Sequence, residues 1–150
     1  MAKEVRIYLG ADHAGFKFKE KIKQFLKKKG ISYEDLSPEL IDGDDYPDVA
    51  FKVAEKVVKS KESKGILVCG SGSGMCIAAN KVKGVRAATI YDKYSAIMSR
   101  QDNDSNIACL RARLFFNWRN IQLLNLWLNT DFSYGDRHKR RLSKIAKYEK

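Results

Sequence analysis

The most chemically suggestive stretch of this chain is a thiol followed by three glycines in the next five residues, Cys69-Gly70-Ser71-Gly72-Ser73-Gly74. Glycines let a backbone turn sharply and aim several N–H groups at one point. If a helix opens there, its N-terminus adds partial positive charge. Such a turn can hold a phosphate or a developing oxyanion, or it can be a tight structural turn and nothing more. It is not a Walker loop, because no Lys-Ser/Thr follows the last glycine. Gly70, Gly72 and Met75 give GxGxxM, which lacks the third glycine of a dinucleotide fingerprint. Cys69, at the mouth of the turn, is placed where nearby helix dipoles favour a thiolate, which could act as base or nucleophile. The plainer reading is a small buried hydrophobe.

Other candidates are scattered. Asp12-His13 could bind a polar ligand or cap the helix that follows. Arg137 and Arg141 lie one helical turn apart on a shared face, either as an anion clamp or as part of a solvated basic helix. Asn103 could simply end a helix. The three cysteines, Cys69, Cys76 and Cys109, are odd in number, include no CxxC, and accompany only two histidines. That pattern suits neither a disulfide framework nor a zinc site. Cys76 and Cys109 read as core positions.

The elements that must carry these residues alternate. Strands are predicted over 5–9, 31–36, 65–69, 86–91 and 107–110. Helices are predicted over 16–29, 48–60, 75–81, 94–100, 117–129 and 136–148. Phe18, Ile22, Phe25 and Leu26 share one helical face. So do Ala50, Val53, Ala54 and Val57, and so do Ile121, Leu124 and Leu128. Gly30 should stop the first helix, and residues 42–47 read as a loop. Strand–helix alternation argues a parallel sheet covered on both faces. Ligands of such sheets bind outside the C-terminal ends of the strands, so residues 10–15, 69–74, 91–93 and 111–113 are the ones to watch.

With 150 residues the chain fits one domain, 1–150, able to bury a core without staples. No apolar run approaches a membrane span, and the start lacks a signal-peptide core, so a cytoplasmic protein with free thiols is expected. The net charge of +11 is concentrated in 17–29 and 137–150. It could attract nucleic acid or a phosphorylated metabolite, but the basic residues are not interleaved with aromatics as a stacking platform requires. For 17–29 a solvated lysine-rich helix face is the simplest account. The expected partners thus exclude nucleic acid and membrane.

Several blocks in order resemble one family, the ribose-5-phosphate isomerase B / galactose-6-phosphate isomerase family. They are Gly10-Ala11-Asp12-His13-Ala14-Gly15-Phe16, Asp45-Tyr46-Pro47, Cys69 to Gly74 followed by Ile77-Ala78-Ala79-Asn80-Lys81, Ser99-Arg100-Gln101-Asp102-Asn103-Asp104-Ser105-Asn106, and Gly135-Asp136-Arg137-His138-Lys139-Arg140-Arg141. The resemblance implies a Rossmann-like α/β/α sandwich with a five-stranded parallel sheet and a basic C-terminal helix. It also implies a homodimer, or a dimer of dimers, with active sites at the subunit interface. The implied reaction is aldose–ketose isomerisation of a small phosphorylated sugar through an enediolate, with no metal or other cofactor. Cys69 would be the base between C1 and C2. Gly70, Ser71, Gly72, Ser73, Gly74 and Asn103 would form the oxyanion and sugar nest. Asp12 and His13 would meet the sugar and its phosphate, Tyr46 and Ser71 would neighbour the sugar, and Arg113, Arg137 and Arg141 would clamp the phosphate. The chemistry is coherent, since an enediolate needs a base at carbon and donors at oxygen, and guanidinium forks suit a phosphate dianion.

Two departures stand out. Where the family has a ring-opening histidine, this chain has Asp102. Ring opening could fall to Asp102 with a raised pKa, to His13, to water or to the open-chain fraction of substrate; otherwise the sugar differs. Arg111 stands where the family commonly has glycine. Ribose 5-phosphate is the default substrate. A six-carbon sugar phosphate such as allose 6-phosphate or galactose 6-phosphate, or a non-catalytic phosphosugar-binding role, remains the alternative.

Overall fold

The computed structural model describes residues 6–114 and 117–149. The strands are β1 (Ile7–Ala11), β2 (Tyr33–Asp35), β3 (Lys64–Cys69), β4 (Ala87–Thr89) and β5 (Ile107–Arg111). The helices are α1 (Phe16–Lys28), α2 (Tyr46–Lys59), α3 (Ser73–Ala79), α4 (Lys93–Gln101), α5 (Asn117–Leu128) and α6 (Asp136–Tyr148). All five strands are parallel, in the order β2-β1-β3-β5-β4.

Side chains alternate across the pleat, and that alternation builds two cores. Ile7, Leu9, Ile66, Val68, Ala108 and Leu110 face α1, α4 and α5. Tyr8, Leu67, Cys69, Ile107 and Cys109 face α2 and α3. Each fully buried aliphatic chain contributes roughly 1.5–3 kcal/mol, so the central strands β1, β3 and β5 carry most of the stability. The predicted inward faces of α1 and α2 hold: Phe18, Ile22, Leu26, Ala50, Val53, Ala54 and Val57 are buried.

Local chemistry sets the boundaries. α1 ends in a Schellman turn: Gly30 has φ +68°, its N–H donates to the Lys27 carbonyl (3.1 Å), and the Ile31 N–H donates to that of Leu26 (2.9 Å). α2 begins at Tyr46, two residues before its predicted start, with Pro47 in its first turn. Proline fits there because the first helical N–H groups need no intrahelical partner. α5 is rotated from expectation. Leu123, Leu124 and Trp127 are buried, with Ile121 and Leu128 only partly so. The Trp127 indole N–H donates to Ser105 Oγ (2.8 Å), which ties the ring inward. β1 starts at Ile7, and the predicted residue Val5 lies outside the described residues.

The lysine-rich face of 17–29 is solvated at Lys17, Lys21, Lys27, Lys28 and Lys29, with one exception. The 17–29 helix face is not wholly solvated: Lys19 is fully buried. Its ammonium donates to both Asp35 oxygens (3.0 and 2.8 Å) and to the Ser37 carbonyl. The position has the spacing of the apolar face, one residue after Phe18 and three before Ile22, so the helix carries it inward where the β2 acid meets it.

Between β1 and β3 the connections reverse. β1 leads outward through α1 to β2, and α2 then returns across the other face to β3. The crevice at the C-terminal ends of β1 and β3 is therefore the topological switch point, where open α/β sheets bind ligands.

Candidate active site

The residues after β1, β3 and β5 meet at that crevice. Cys69 is the last residue of β3, and α3 opens four residues later at Ser73. Between them Gly72 takes φ +81°, a left-handed conformation that glycine adopts without strain. Its N–H donates to Cys69 Sγ at 3.1 Å. The Cys69 residue is 4% exposed, at the rim of the α2/α3 core. In the first turn of α3 the Ser73 N–H donates to Ser71 Oγ (3.2 Å), and the Gly74 and Met75 N–H groups have no intrahelical partner.

Three neighbours close on this turn. The loop after β5 is pinned by Ala112 N–H to the Cys69 carbonyl (3.0 Å) and Arg113 N–H to that of Gly70 (3.1 Å). The Arg113 side chain consequently lies over Gly70, where an added Cβ would sit 3.3 Å from its Cδ. The Tyr46 ring covers Gly74, and a Cβ there would be 2.8 Å from Tyr46 Cζ. After β1, Asp12 Oδ1 accepts from the Gly15 N–H (3.0 Å), so Asp12 does shape the entry to α1. His13 follows it. Asp44 Oδ1 accepts from both the His13 N–H (2.8 Å) and His13 Nδ1 (2.9 Å). That hydrogen bond raises the His13 pKa, with Asp12 and the Asp44 charge adding to it, against desolvation and the Arg113 cation. Asp44 was not among the sequence candidates; it lay inside an acidic stretch read only as a loop.

The other two thiols lie behind the nest. Burial pushes the Cys109 thiol well up. Cys76 is half-buried and its Sγ donates to the Ala87 carbonyl on β4 (3.4 Å).

The remaining candidates are elsewhere. Asp102 caps the C-terminus of α4, which runs back from the C-terminal end of β4 to the start of β5. Four residues on, the Asn106 carbonyl accepts from Gly65 at the N-terminal end of β3 (2.8 Å). Gly65 lies four residues before Cys69 in β3, so at about 3.3 Å per residue roughly 13 Å of sheet separates that end from Cys69. Asp102 Oδ1 is 3.4 Å from His138 Nε2, and Arg137 Nε donates to the same nitrogen (3.1 Å). Asn103, Arg137 and Arg141 are exposed at this end, beside the start of α6. Arg111 ends β5 half-buried. One chain thus unites Asp12, His13, Tyr46, Cys69, residues 70–74 and Arg113, and it holds Asp102, Asn103, Arg137 and Arg141 apart from them.

Residues 7–145 match the model of the Ribose/Galactose Isomerase family. The chain belongs to this family. The isomerase-family relatives include a probable ribose-5-phosphate isomerase B of Mycoplasma genitalium, 44% identical over 96% of this chain and 95% of that protein. Another is a D-erythrulose-4-phosphate isomerase of Pectobacterium atrosepticum, 38% identical over 95% of this chain and 94% of that protein. Among solved structures, ribose-5-phosphate isomerase B from M. genitalium with bound ribulose-5-phosphate superposes with a TM-score of 0.91. It is 41% identical, over 97% of this chain and 96% of that one. The Rossmann-like family fold anticipated from the sequence is the one observed.

Proposed function

We propose that the chain is an aldose–ketose isomerase interconverting ribose 5-phosphate and ribulose 5-phosphate, with Cys69 as the base. The observation that carries this reading is the Cys69 sulfur held by the Gly72 N–H beside a backbone cradle and the Arg113 side chain. In the forward direction the Cys69 thiolate removes the proton at C2, the cradle stabilises the enediolate oxygen, and the thiol returns the proton to C1. Asp12, His13, Tyr46 and Ser71 contact the sugar, and Arg113 binds phosphate. The Pectobacterium relative supports a second reading in the same class, a four-carbon substrate. Isomerisation of D-erythrulose 4-phosphate but not of ribulose 5-phosphate would select it.

The working unit is a homodimer. Two features support this. Asp102, Asn103, Arg137 and Arg141 lie at the far end of the sheet from Cys69, so a partner copy must bring its own set to complete each site. α6 also buries only His138 against its own chain and leaves Ile145 and Tyr148 exposed, 51% and 88%. None of the three cysteines is in a disulfide, which suits a reducing cytoplasm.

Subunit mixing tests both claims. Cys69→Ala and Arg141→Ala chains should each be inactive alone. Mixed and allowed to exchange, they should regain about a quarter of wild-type turnover, because half of the dimers are mixed and each of those holds one intact site. No recovery despite proven exchange would mean that the two sets do not share a site.

A further inference from the structure

We propose that His13, braced by Asp44, donates the proton that opens the furanose ring of the aldose substrate in this chain. The assignment rests on the isomerase reading above. It starts from a single oxygen: Asp44 Oδ1 accepts from the His13 backbone N–H (2.8 Å) and from Nδ1 (2.9 Å). A carboxylate accepts only, so the proton is fixed on Nδ1 and Nε2 becomes the exchanging nitrogen. The side chain is 34% exposed, open to solvent for reprotonation. The charged groups facing it are Asp44, Asp12 and Arg113. The two acids favour imidazolium, the arginine opposes it, and the balance raises the pKa, as a general acid working near neutrality requires.

The one other histidine is engaged. His138 has a side chain only 8% exposed, and its Nε2 accepts from Arg137 Nε while lying 3.4 Å from Asp102. His13, just after β1, is the histidine on the same end of the sheet as Cys69, where the Arg113 N–H donates to the Gly70 carbonyl.

The step balances. The Nε2 proton passes to ring O4 and the C1–O4 bond breaks with its electron pair going to O4. A lone pair on O1 closes the C1=O bond, the O1 proton leaves to water, and water reprotonates the imidazole.

Ribulose 5-phosphate separates ring opening from isomerisation. Its C5 oxygen carries the phosphate, so it has no furanose to open, and exchange of its C1 hydrogen in D2O reads the Cys69 step alone. At saturating substrate, His13→Asn should lower ribose 5-phosphate turnover about 10²-fold more than it lowers C1 exchange. Asp44→Asn should shift the alkaline limb of kcat for ribose 5-phosphate to lower pH, because the imidazolium loses its acceptor, while the pH profile of C1 exchange stays in place. Equal falls in the two reactions for His13→Asn would make His13 a binding group only. An alkaline limb unmoved in Asp44→Asn would also overturn the proposal. Wild-type protein that exchanges no C1 hydrogen would instead refute the isomerase reading itself, and the assignment with it.

Discussion

Two substitutions at Cys69 separate its chemistry from its place in the fold. Its sulfur accepts the N–H of buried Gly72 at 3.1 Å. Cys69→Ala removes that acceptor and leaves a buried donor unpaired, which costs about 1–3 kcal/mol. For a domain of this size that is a fall in Tm of roughly 2–12 °C. Cys69→Ser retains an acceptor oxygen in the same position, so its stability should stay within about 0.5 kcal/mol of wild type. Both lose the base. Positioned acid–base catalysis contributes about 10²- to 10⁴-fold, or roughly 2.7–5.5 kcal/mol of barrier. Ribose 5-phosphate turnover should fall by that factor in both variants, while urea unfolding shows a loss of stability in Cys69→Ala alone. Serine turnover within about threefold of wild type would place the base elsewhere. Equal stability of the two variants would show that the Gly72 N–H does not depend on the sulfur.

Breaking the Lys19–Asp35 pair should be among the costliest single changes. Lys19→Met removes the fully buried cation while Lys23 still donates to Asp35 (3.1 Å), so the loss should lie near the lower end of the usual range, about 3 kcal/mol by urea unfolding. Burial pushes the Asp35 carboxyl up, but hydrogen bonds from Lys19, the Ser37 N–H and Lys23 outweigh it and hold it below the usual carboxylate range. A depressed carboxyl stabilises the fold above its unfolded pKa of about 3.9, and that gain fades as pH falls through the folded value. Wild type should therefore lose stability in that acid window, and Lys19→Met should lose less there. Gly74→Ala would place a Cβ 2.8 Å from Tyr46 Cζ and force the ring off the nest. Overpacking of this kind costs about 1–3 kcal/mol. A higher KM for ribose 5-phosphate is expected, relieved in Gly74→Ala/Tyr46→Ala if the clash is the cause.

The fold was legible because its signals are local and repeat. Alternation predicted the parallel sheet, the apolar spacing of α1 and α2 predicted their buried faces, and Gly30 predicted where α1 stops. The misses arose where a distant partner decides. Trp127 turns inward because Ser105 accepts its indole N–H, a contact across 22 positions. Lys19 is buried because Asp35 and Ser37 meet it there, and in the sequence it is one lysine among many. Asp44 becomes part of the site only through His13, 31 positions away. In the sequence its sole sign is membership of an acidic turn, which turns share for reasons unrelated to catalysis.

The candidate site residues obey the strand-end rule only in half. Asp12 and His13 follow β1, Cys69 and its glycines follow β3, and Arg113 follows β5, so all of them stand at one end of the sheet. Asp102 and Asn103 follow a helix instead. α4 begins at the C-terminal end of β4, held by the Asp92–Ser95 capping box, and a helix that reconnects parallel strands must finish at their other end. Any residue ending such a helix is carried away from the crevice by the topology, whatever motif it belongs to. The same holds for Arg137, whose neighbour His138 docks against Asp102. A set of groups suited to one phosphosugar but divided between opposite ends of a rigid parallel sheet can act together only across two molecules. The division within one chain is therefore the physical reason for expecting a partner copy, and subunit mixing measures it directly.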